Sequence, residues 1–248
     1  MMFRKIPKKY FIFFLILPFF FYGSFCFAQA INIDLGKEGT LTGRIIQLMA
    51  LLAVLSLAPA LLVMVTSFTR IVVVLSLLRS ALGVQQTPPN PVLISLALFL
   101  TAFIMGPVFE DAYEQGIKPM MQEQINEMHA IELAAQPFKK FMAKNTREED
   151  LGLFLSLSNT EKTTSIEDLS LKIVIPAFMI SELRRAFEIG FLIFIPFLII
   201  DMVVSSILMS MGMMMLPPIT ISLPFKIIFF VLIDGWYLIA GSLIKSYG

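Results

Sequence analysis

Seven charged residues lie inside the otherwise apolar stretch between Lys172 and Lys245, and they constrain the fold more than any other feature. On insertion scales, each charge costs about 2.5–3.5 kcal/mol at the centre of a lipid-exposed helix. Such charges persist only where they face protein or water, so this half of the chain must pack against protein or line a water-filled cavity. The seven are Glu182, Arg184, Arg185, Glu188, Asp201, Lys226 and Asp234.

The composition as a whole also indicates a membrane protein. Of the 248 residues, 57% are hydrophobic and 15% are charged, whereas a soluble domain has about 45–50% and about 25%. The net charge of +1 argues against nucleic-acid binding, which requires a basic face. The sequence contains one histidine and one cysteine, which are few ligands for a metal site and offer little for thiol chemistry. We find no phosphate-binding loop, zinc-protease motif or nucleophile elbow, so we predict a non-enzymatic protein without a cofactor.

The first 30 residues have the pattern of a secretory signal peptide. A positively charged segment at residues 4–9 precedes an apolar run at 10–23, and Ala28-Gln29-Ala30 matches the small-residue cleavage pattern. We predict cleavage after Ala30, with cleavage after Ala28 or an uncleaved anchor as alternatives. Cys26 is then removed with the signal, which leaves the mature chain without a cysteine.

Residues 31–109 form the predicted N-terminal membrane part. They contain two apolar stretches, Ile45–Thr69 and Val92–Phe109, which have the length of membrane-crossing helices, about 17–25 residues. Pro59 should kink the first helix. The proline-rich segment 87–91 cannot be continuous helix, so we expect a break there.

Residues 110–172 differ from their flanks because they carry twelve acidic and seven basic residues, a net charge of −5. This composition predicts a small helical insert outside the membrane. One amphipathic helix is expected at Glu114–Glu132, where His129 is interpreted as a solvated helix residue. Another should begin within Asn145–Glu149, where acids follow a polar start signal. The apolar face of that second helix would be Leu151, Phe154, Leu155 and Leu157.

Residues 173–248 form the predicted C-terminal part, in which Asp201 divides the apolar run. We expect a methionine-rich turn at Met209–Leu216 and a last apolar helix at Phe225–Ile244. Strand-period alternation does not occur over any length, so the predicted fold is all-α, with membrane-associated helical hairpins and a helical insert.

The charge distribution predicts the topology. A basic loop at Arg70–Asn90 belongs in the cytoplasm by the positive-inside rule, which places the acidic insert in the periplasm. The methionine-rich turn then returns to the cytoplasmic side and the C-terminus lies outside. Four apolar passes through the inner membrane fit this arrangement.

Two charged pairs can meet on one helix surface, because Glu182 and Arg185 are three residues apart and Arg184 and Glu188 are four apart. One interpretation is a surface helix whose charges pair with one another. The other is an interface between subunits, where these charges meet Lys226, Asp201 or Asp234 of the C-terminal part. We predict inter-subunit roles for Glu182, Arg185, Asp201 and Lys226.

Five of the 16 methionines cluster around Gly212, which allows the backbone to turn. Methionine is unbranched and polarizable, so it fills irregular gaps and re-packs easily. The cluster is therefore either an apolar loop between helices or a deformable seal around a pore. Its members are Met209, Met211, Met213, Met214 and Met215.

Two long segments resemble the signatures of the FliP family of type III export-gate proteins. The first is Pro176–Phe191, with the sequence PAFMISELRRAFEIGF, and the second is Ile221–Trp236, which begins ISLPFK and ends DGW. Ser67–Pro91 is also typical of the family. The resemblance extends over nearly the whole mature chain, although the central insert is too variable for residues to be matched.

The resemblance implies a subunit of a ring of about five copies that admits unfolded flagellar proteins across the inner membrane. The implied partners are FliQ- and FliR-like subunits, FlhA- and FlhB-like export components and a FliO-like assembly factor. Members of the family also bend their apolar hairpins out of an ordinary spanning arrangement. In the same terms, Met209–Met215 corresponds to a loop thought to act as a pore gasket, and Glu182 and Lys226 to residues thought to support contacts between subunits.

The sequence leaves three alternative functions to compare with this one. A virulence-injectisome counterpart would usually lack the cleaved signal. A small-solute transporter would show inverted repeats and paired broken helices, which the sequence lacks. An intramembrane enzyme would require a paired acid site, for which Asp201 and Asp234 are the only candidate aspartates.

Overall fold

Helices make up all the regular secondary structure in the part of the chain that the computed structural model describes, residues 41–84, 86–158, 169–213 and 215–248. The predicted all-α class is therefore confirmed. The signal peptide and its cleavage site at Ala30 lie outside the described residues. The elements are α1 (Leu41–Val65), α2 (Phe68–Leu82), α3 (Asn90–Ala112), a π-helix (Tyr113–Ile117), α4 (Lys118–Met121), α5 (Glu127–Asn145), α6 (Glu148–Leu157), α7 (Leu171–Ser210), α8 (Pro218–Leu232) and α9 (Gly235–Lys245).

The described residues fall into two units, the first of which ends at Ala53 and the second of which begins at Val54. In the first unit, the described residues form the N-terminal part of α1, with exposed apolar side chains that include Ile46, Met49 and Leu52. The second unit contains the end of α1, all the other helices and the buried core.

Helices α2 and α7 form the centre of the second unit and run parallel. Arg70, in the first turn of α2, contacts Glu182 of α7, and Leu77 lies two turns further along, against Gly190. A Cβ atom on Gly190 would lie 2.3 Å from the Leu77 Cδ1 atom and 3.2 Å from its Cβ atom, so any larger residue would force Leu77 to shift. Ile71 and Leu78 are fully buried beside this contact.

Helix α7 is continuous for 40 residues, and the charges that divide its apolar run in the sequence do not break it. At about 1.5 Å per residue it is roughly 60 Å long, about twice the ~30 Å hydrocarbon core of a bilayer. Glu182 and Asp201 do not end the helix, because each binds a cation from another helix.

The described residues contain two helical segments that are long and apolar enough to cross a membrane, Asn90–Met121 and Leu171–Ser210, or three if the bent pair α8–α9 counts as one. Four passes were predicted. The predicted first pass, Ile45–Thr69, is not one helix, because α1 ends at Val65 and α2 begins at Phe68.

The predicted last helix, Phe225–Ile244, is wrong, because α8 and α9 are separate helices that meet at an angle of 62°. Asp234 lies between them in the left-handed region, with φ of 51°. The ring of Phe230 covers Gly235 so closely that a Cβ atom there would lie 2.2 Å from it. Trp236 then packs edge-on against the same ring, with 5.4 Å between centroids.

The predicted basic loop at Arg70–Asn90 is mostly helix. Its first part is α2, and the connection to α3 comprises only residues 83–89. Arg79 Nη1 donates to Asn90 Oδ1 across this connection at 2.5 Å. The expected break in the proline-rich segment 87–91 is confirmed, since α3 begins at Asn90.

In the insert, the predicted helix Glu114–Glu132 is divided into two parts. The first part ends at Met121, and Glu123 adopts a positive φ of 57°. The Asn126 side chain then accepts a hydrogen bond from the His129 amide at 2.9 Å, which caps the start of α5. The helix start expected within Asn145–Glu149 is confirmed by α6, which begins at Glu148 with three acids in its first turn.

Candidate functional site

A buried ion pair joins the start of α2 to the middle of the first signature segment in α7. Both Arg70 and Glu182 are completely inaccessible to solvent. Arg70 Nε donates to Glu182 Oε2 at 2.9 Å, and its Nη2 donates to the other carboxylate oxygen. This two-point geometry offsets the cost of burying both charges.

The C-terminal residues complete this cluster. The Tyr247 hydroxyl donates to Glu182 Oε2, while Arg70 Nη1 donates to Ser246 Oγ at 3.0 Å. The Arg70 guanidinium also lies over the Tyr247 ring, 3.8 Å from its centroid. Burial, together with the Glu182 carboxylate, raises the pKa of the Tyr247 hydroxyl, so it stays protonated and can donate. Phe141 of the insert stacks on Tyr247 at 5.7 Å between ring centroids.

A second charged cluster joins the second signature segment to α7. Lys226 Nζ donates to Asp201 Oδ2 at 2.6 Å and to the carbonyl of Ala81, the penultimate residue of α2, at 3.3 Å. Ser222 Oγ donates to Asp201 Oδ1 at 2.5 Å. The Lys226 side chain is 5% exposed and the Asp201 side chain 34%, so the cation is buried while the carboxylate still touches solvent.

Ser181, next to Glu182, connects α7 to the insert. Its hydroxyl donates to Asp150 Oδ2 at 2.6 Å and accepts a hydrogen bond from the backbone amide of Arg147 at 3.0 Å. The start of α6 is therefore fixed beside the buried ion pair. Leu151 and Leu155 of α6 pack into the adjoining apolar core as predicted, whereas Leu157 is 70% exposed.

The remaining charges of the first signature lie nearer the surface. Arg184 Nε donates to Glu188 Oε1 at 3.2 Å, as the four-residue spacing predicts. Glu182 binds Arg70 and Tyr247 and not Arg185, which is three residues away. Arg185 forms no ion pair within 4 Å of any residue that the structure describes.

The predicted inter-subunit charges are therefore engaged within the chain, with the exception of Arg185. Glu182 binds Arg70 and Lys226 binds Asp201. Contact of these residues with another copy stays a prediction. Asp234, a third candidate partner, is exposed at the α8–α9 bend.

The methionine-rich segment lies at the opposite end of α7 from the Glu182 cluster. Glu182 and Ser210 are separated by 28 residues of continuous helix, about 42 Å at ~1.5 Å per residue. Gly212 turns the chain with φ of 71°, as predicted. Met214 is outside the described residues, and the other four side chains are exposed: Met209 58%, Met211 60%, Met213 41% and Met215 99%.

Among the residues of these clusters that were not identified from the sequence are Arg70, Tyr247, Ser181 and Ser222. For Arg70 a signal existed, because an arginine directly after a long uncharged stretch calls for a buried acid. The other three carry no such signal, since isolated hydroxyl groups are common in helices and turns.

The comparisons with known proteins agree with the two signatures. The sequence profile of the FliP family matches residues 51–243. The chain is 61% identical over 219 residues to a Caulobacter vibrioides protein named Flagellar biosynthetic protein FliP, which covers 88% of this chain and 82% of that protein. A Bacillus subtilis protein of the same name is 53% identical, with 88% and 99% covered. One from Aquifex aeolicus is 50% identical, with 90% and 95% covered.

Proposed function

Because this chain belongs to the FliP family, we propose that it is one subunit of a flagellar protein export gate in the bacterial inner membrane. Its relatives are named as flagellar biosynthetic proteins, which favours the flagellar branch over a virulence injectisome. In this proposal the passenger is unfolded flagellar protein. The chain itself performs no catalysis, and the energy for transport comes from other components.

The main observation in support of the proposal is the length of α7. The helix extends for about 60 Å, so a bilayer core of ~30 Å covers only about half of it. Large apolar side chains nevertheless stay exposed along much of the helix, as in Phe187 at 59%, Phe191 at 68% and Met202 at 62%. Apolar surface on that scale indicates a protein interface where lipid does not reach. We assign the part outside lipid to neighbouring copies and to FliQ- and FliR-like subunits.

The buried clusters hold each copy in the shape that a ring requires. Two ion pairs fix α7 relative to α2 and α8 at positions about 28 Å apart along α7, since Glu182 and Asp201 are 19 residues apart at ~1.5 Å per residue. In this arrangement Glu182 and Lys226 act chiefly within the subunit. Asp201, whose side chain is 34% exposed, is the member that we assign to contacts with another copy.

The methionine-rich segment is the proposed gasket. Met209, Met211, Met213 and Met215 are exposed in the single chain, and unbranched thioether side chains adapt to a changing gap. In a ring, these segments would meet around the axis. They would close the pore to ions and separate when a passenger enters.

The two ends of α7 define the proposed sides of the membrane. The insert and the C-terminus share one end, where Phe141 stacks on Tyr247, and the methionine-rich segment occupies the other. We place the insert end in the periplasm, in agreement with the predicted signal peptide. The cytoplasmic end is then open to FlhA- and FlhB-like export components, and a FliO-like factor would assist assembly.

Ion conductance tests the gasket. The gate would be assembled with its partner subunits, and the four exposed methionines replaced together with alanine. We expect the sodium leak across the membrane to rise, because shortened side chains leave a gap at the pore. Met128→Ala is the matched control, since this methionine of the insert is 78% exposed and lies far from the segment. An unchanged leak in a fully assembled quadruple variant would refute the gasket.

A further inference from the structure

An apolar groove of about 370 Å³ lies between α7 and α9. Ile189 and Leu192 of α7 form one wall, Leu238 and Ile239 of α9 form the other, and Ser246 lies at one end. The volume falls within the ~300–1,000 Å³ that small-molecule sites occupy. One wall belongs to a helix with the length and composition of a membrane span, and the other belongs to the bent pair α8–α9, so an acyl chain is compatible with both walls.

Arg185 marks the polar end of the groove. It lies one turn before Ile189 on the same face of α7 and three residues after Glu182, whose partner Arg70 also binds Ser246, so it lies toward the Ser246 end. Lys245, in the last turn of α9, is exposed beside Ser246. Arg185 has no ion-pair partner within 4 Å among the described residues.

The Glu182 carboxylate does not pair with Arg185, because its ion pair within 4 Å is with Arg70. A half-buried guanidinium beside an apolar groove is complementary to one class of molecule, an amphiphile with a long apolar chain and an anionic head group.

We propose that this groove binds an anionic phospholipid, with an acyl chain between α7 and α9 and the phosphate against Arg185 and Lys245. The proposal does not depend on the export role, because it concerns a single chain in a membrane.

Native mass spectrometry of the full chain tests the proposal. The protein would be purified in detergent and equilibrated with equal amounts of phosphatidylglycerol and phosphatidylcholine of the same chain length. We expect preferential retention of phosphatidylglycerol. Arg185→Gln should reduce that preference about fivefold, the factor that corresponds to ~1 kcal/mol for one basic residue at a lipid head group.

The neighbouring arginine supplies a matched control. Arg184 points away from the groove and pairs with Glu188, so Arg184→Gln should leave lipid retention unchanged. Leu192→Trp, which fills the groove from an exposed position, should reduce retention of both lipids. If Arg185→Gln does not fold, Arg185→Lys, which keeps the charge, should retain the preference, and Leu192→Trp decides whether the groove is the site.

Equal retention of the two lipids by the unchanged protein would overturn the proposal, as would an equal effect of the Arg184 and Arg185 variants. If Arg185→Gln instead dissociates assembled copies while lipid retention stays the same, Arg185 contacts a second copy and the lipid assignment is wrong.

Discussion

Arg70 and Glu182 are 112 residues apart in the chain and form an ion pair that is completely shielded from solvent. The pair lies where α2, α7 and the C-terminal residues meet. Removing either partner leaves the other as an uncompensated buried charge, which is far more costly than losing an exposed pair.

Glu182→Ala should therefore lower the free energy of unfolding by about 3–5 kcal/mol, the usual cost of breaking a buried pair. Thermal unfolding in detergent would measure the effect. Glu188→Ala is the matched control, because it breaks an exposed pair on the same helix and should cost at most about 1 kcal/mol. Comparable losses in the two variants would show that Glu182 is not buried as described.

This prediction also affects how assembly data are interpreted. Glu182→Ala should prevent ring formation, but the loss of the fold is sufficient to explain such a result. The double variant Arg70→Met with Glu182→Leu separates the two causes, because apolar replacement of a buried pair is often neutral or stabilising. A stable double variant that still forms no ring would indicate a direct contact of Glu182 with another copy.

Tyr247→Phe should cost about 1.5–3 kcal/mol, since it removes a hydrogen bond to a charged group and keeps the ring. The folded protein has a raised pKa for this hydroxyl, so its contribution is fully present below the ordinary value of about 10 and declines above it. The stability difference between the two proteins should therefore shrink as pH rises above about 10. A difference that is constant up to pH 11 would contradict the assignment. Arg70, Glu182 and Arg185 are the charged groups that act on this hydroxyl.

Asp201→Ala should destabilise the protein more than Lys226→Ala does. The first change leaves a 5% exposed ammonium without its counter-ion, at a cost of about 3 kcal/mol. The second leaves a carboxylate that is 34% exposed, which water can solvate, at a cost of about 1 kcal/mol. Chemical denaturation in detergent would rank the two variants, and the reverse order would refute the burial described for this cluster.

Gly190→Ala should separate α2 from α7. The new methyl group would lie 2.3 Å from Leu77 Cδ1 and 3.2 Å from Leu77 Cβ, and overpacking of this kind costs about 1–3 kcal/mol. Gly152→Ala in α6 is the control, because beyond its chain neighbours nothing lies within 4 Å of that position and alanine favours a helix interior by about 0.5–1 kcal/mol. Equal melting temperatures for the two variants would mean that the helices are not in close contact.

Local patterns in the sequence predicted several features correctly. The all-α class follows from uninterrupted apolar stretches, the start of α6 from the acids that follow a polar residue, and the turn at Gly212 from the freedom of glycine. The ion pair between Arg184 and Glu188 follows from helix spacing alone. In each of these, the interacting groups are within a few residues of one another, so the sequence contains the whole interaction.

Features that depend on distant residues were predicted poorly. The intrachain partners of the charges in α7 were not assigned from the sequence, because Arg70 and Lys226 neutralise Glu182 and Asp201 from other helices. The break at Asp234 was missed because its cause, the close contact of Phe230 with Gly235, depends on the packing of side chains.

By itself, the sequence determined that this is an all-helical protein of the FliP family, with apolar helices of membrane-spanning length and a methionine-rich turn. Only the tertiary structure decided which charges face one another and which one, Arg185, has no partner within the described chain. The physical reason is that helix periodicity specifies neighbours three or four residues apart. The partner of Glu182 is instead determined by the parallel packing of α2 against α7. The two helices approach closely because Gly190 has no side chain.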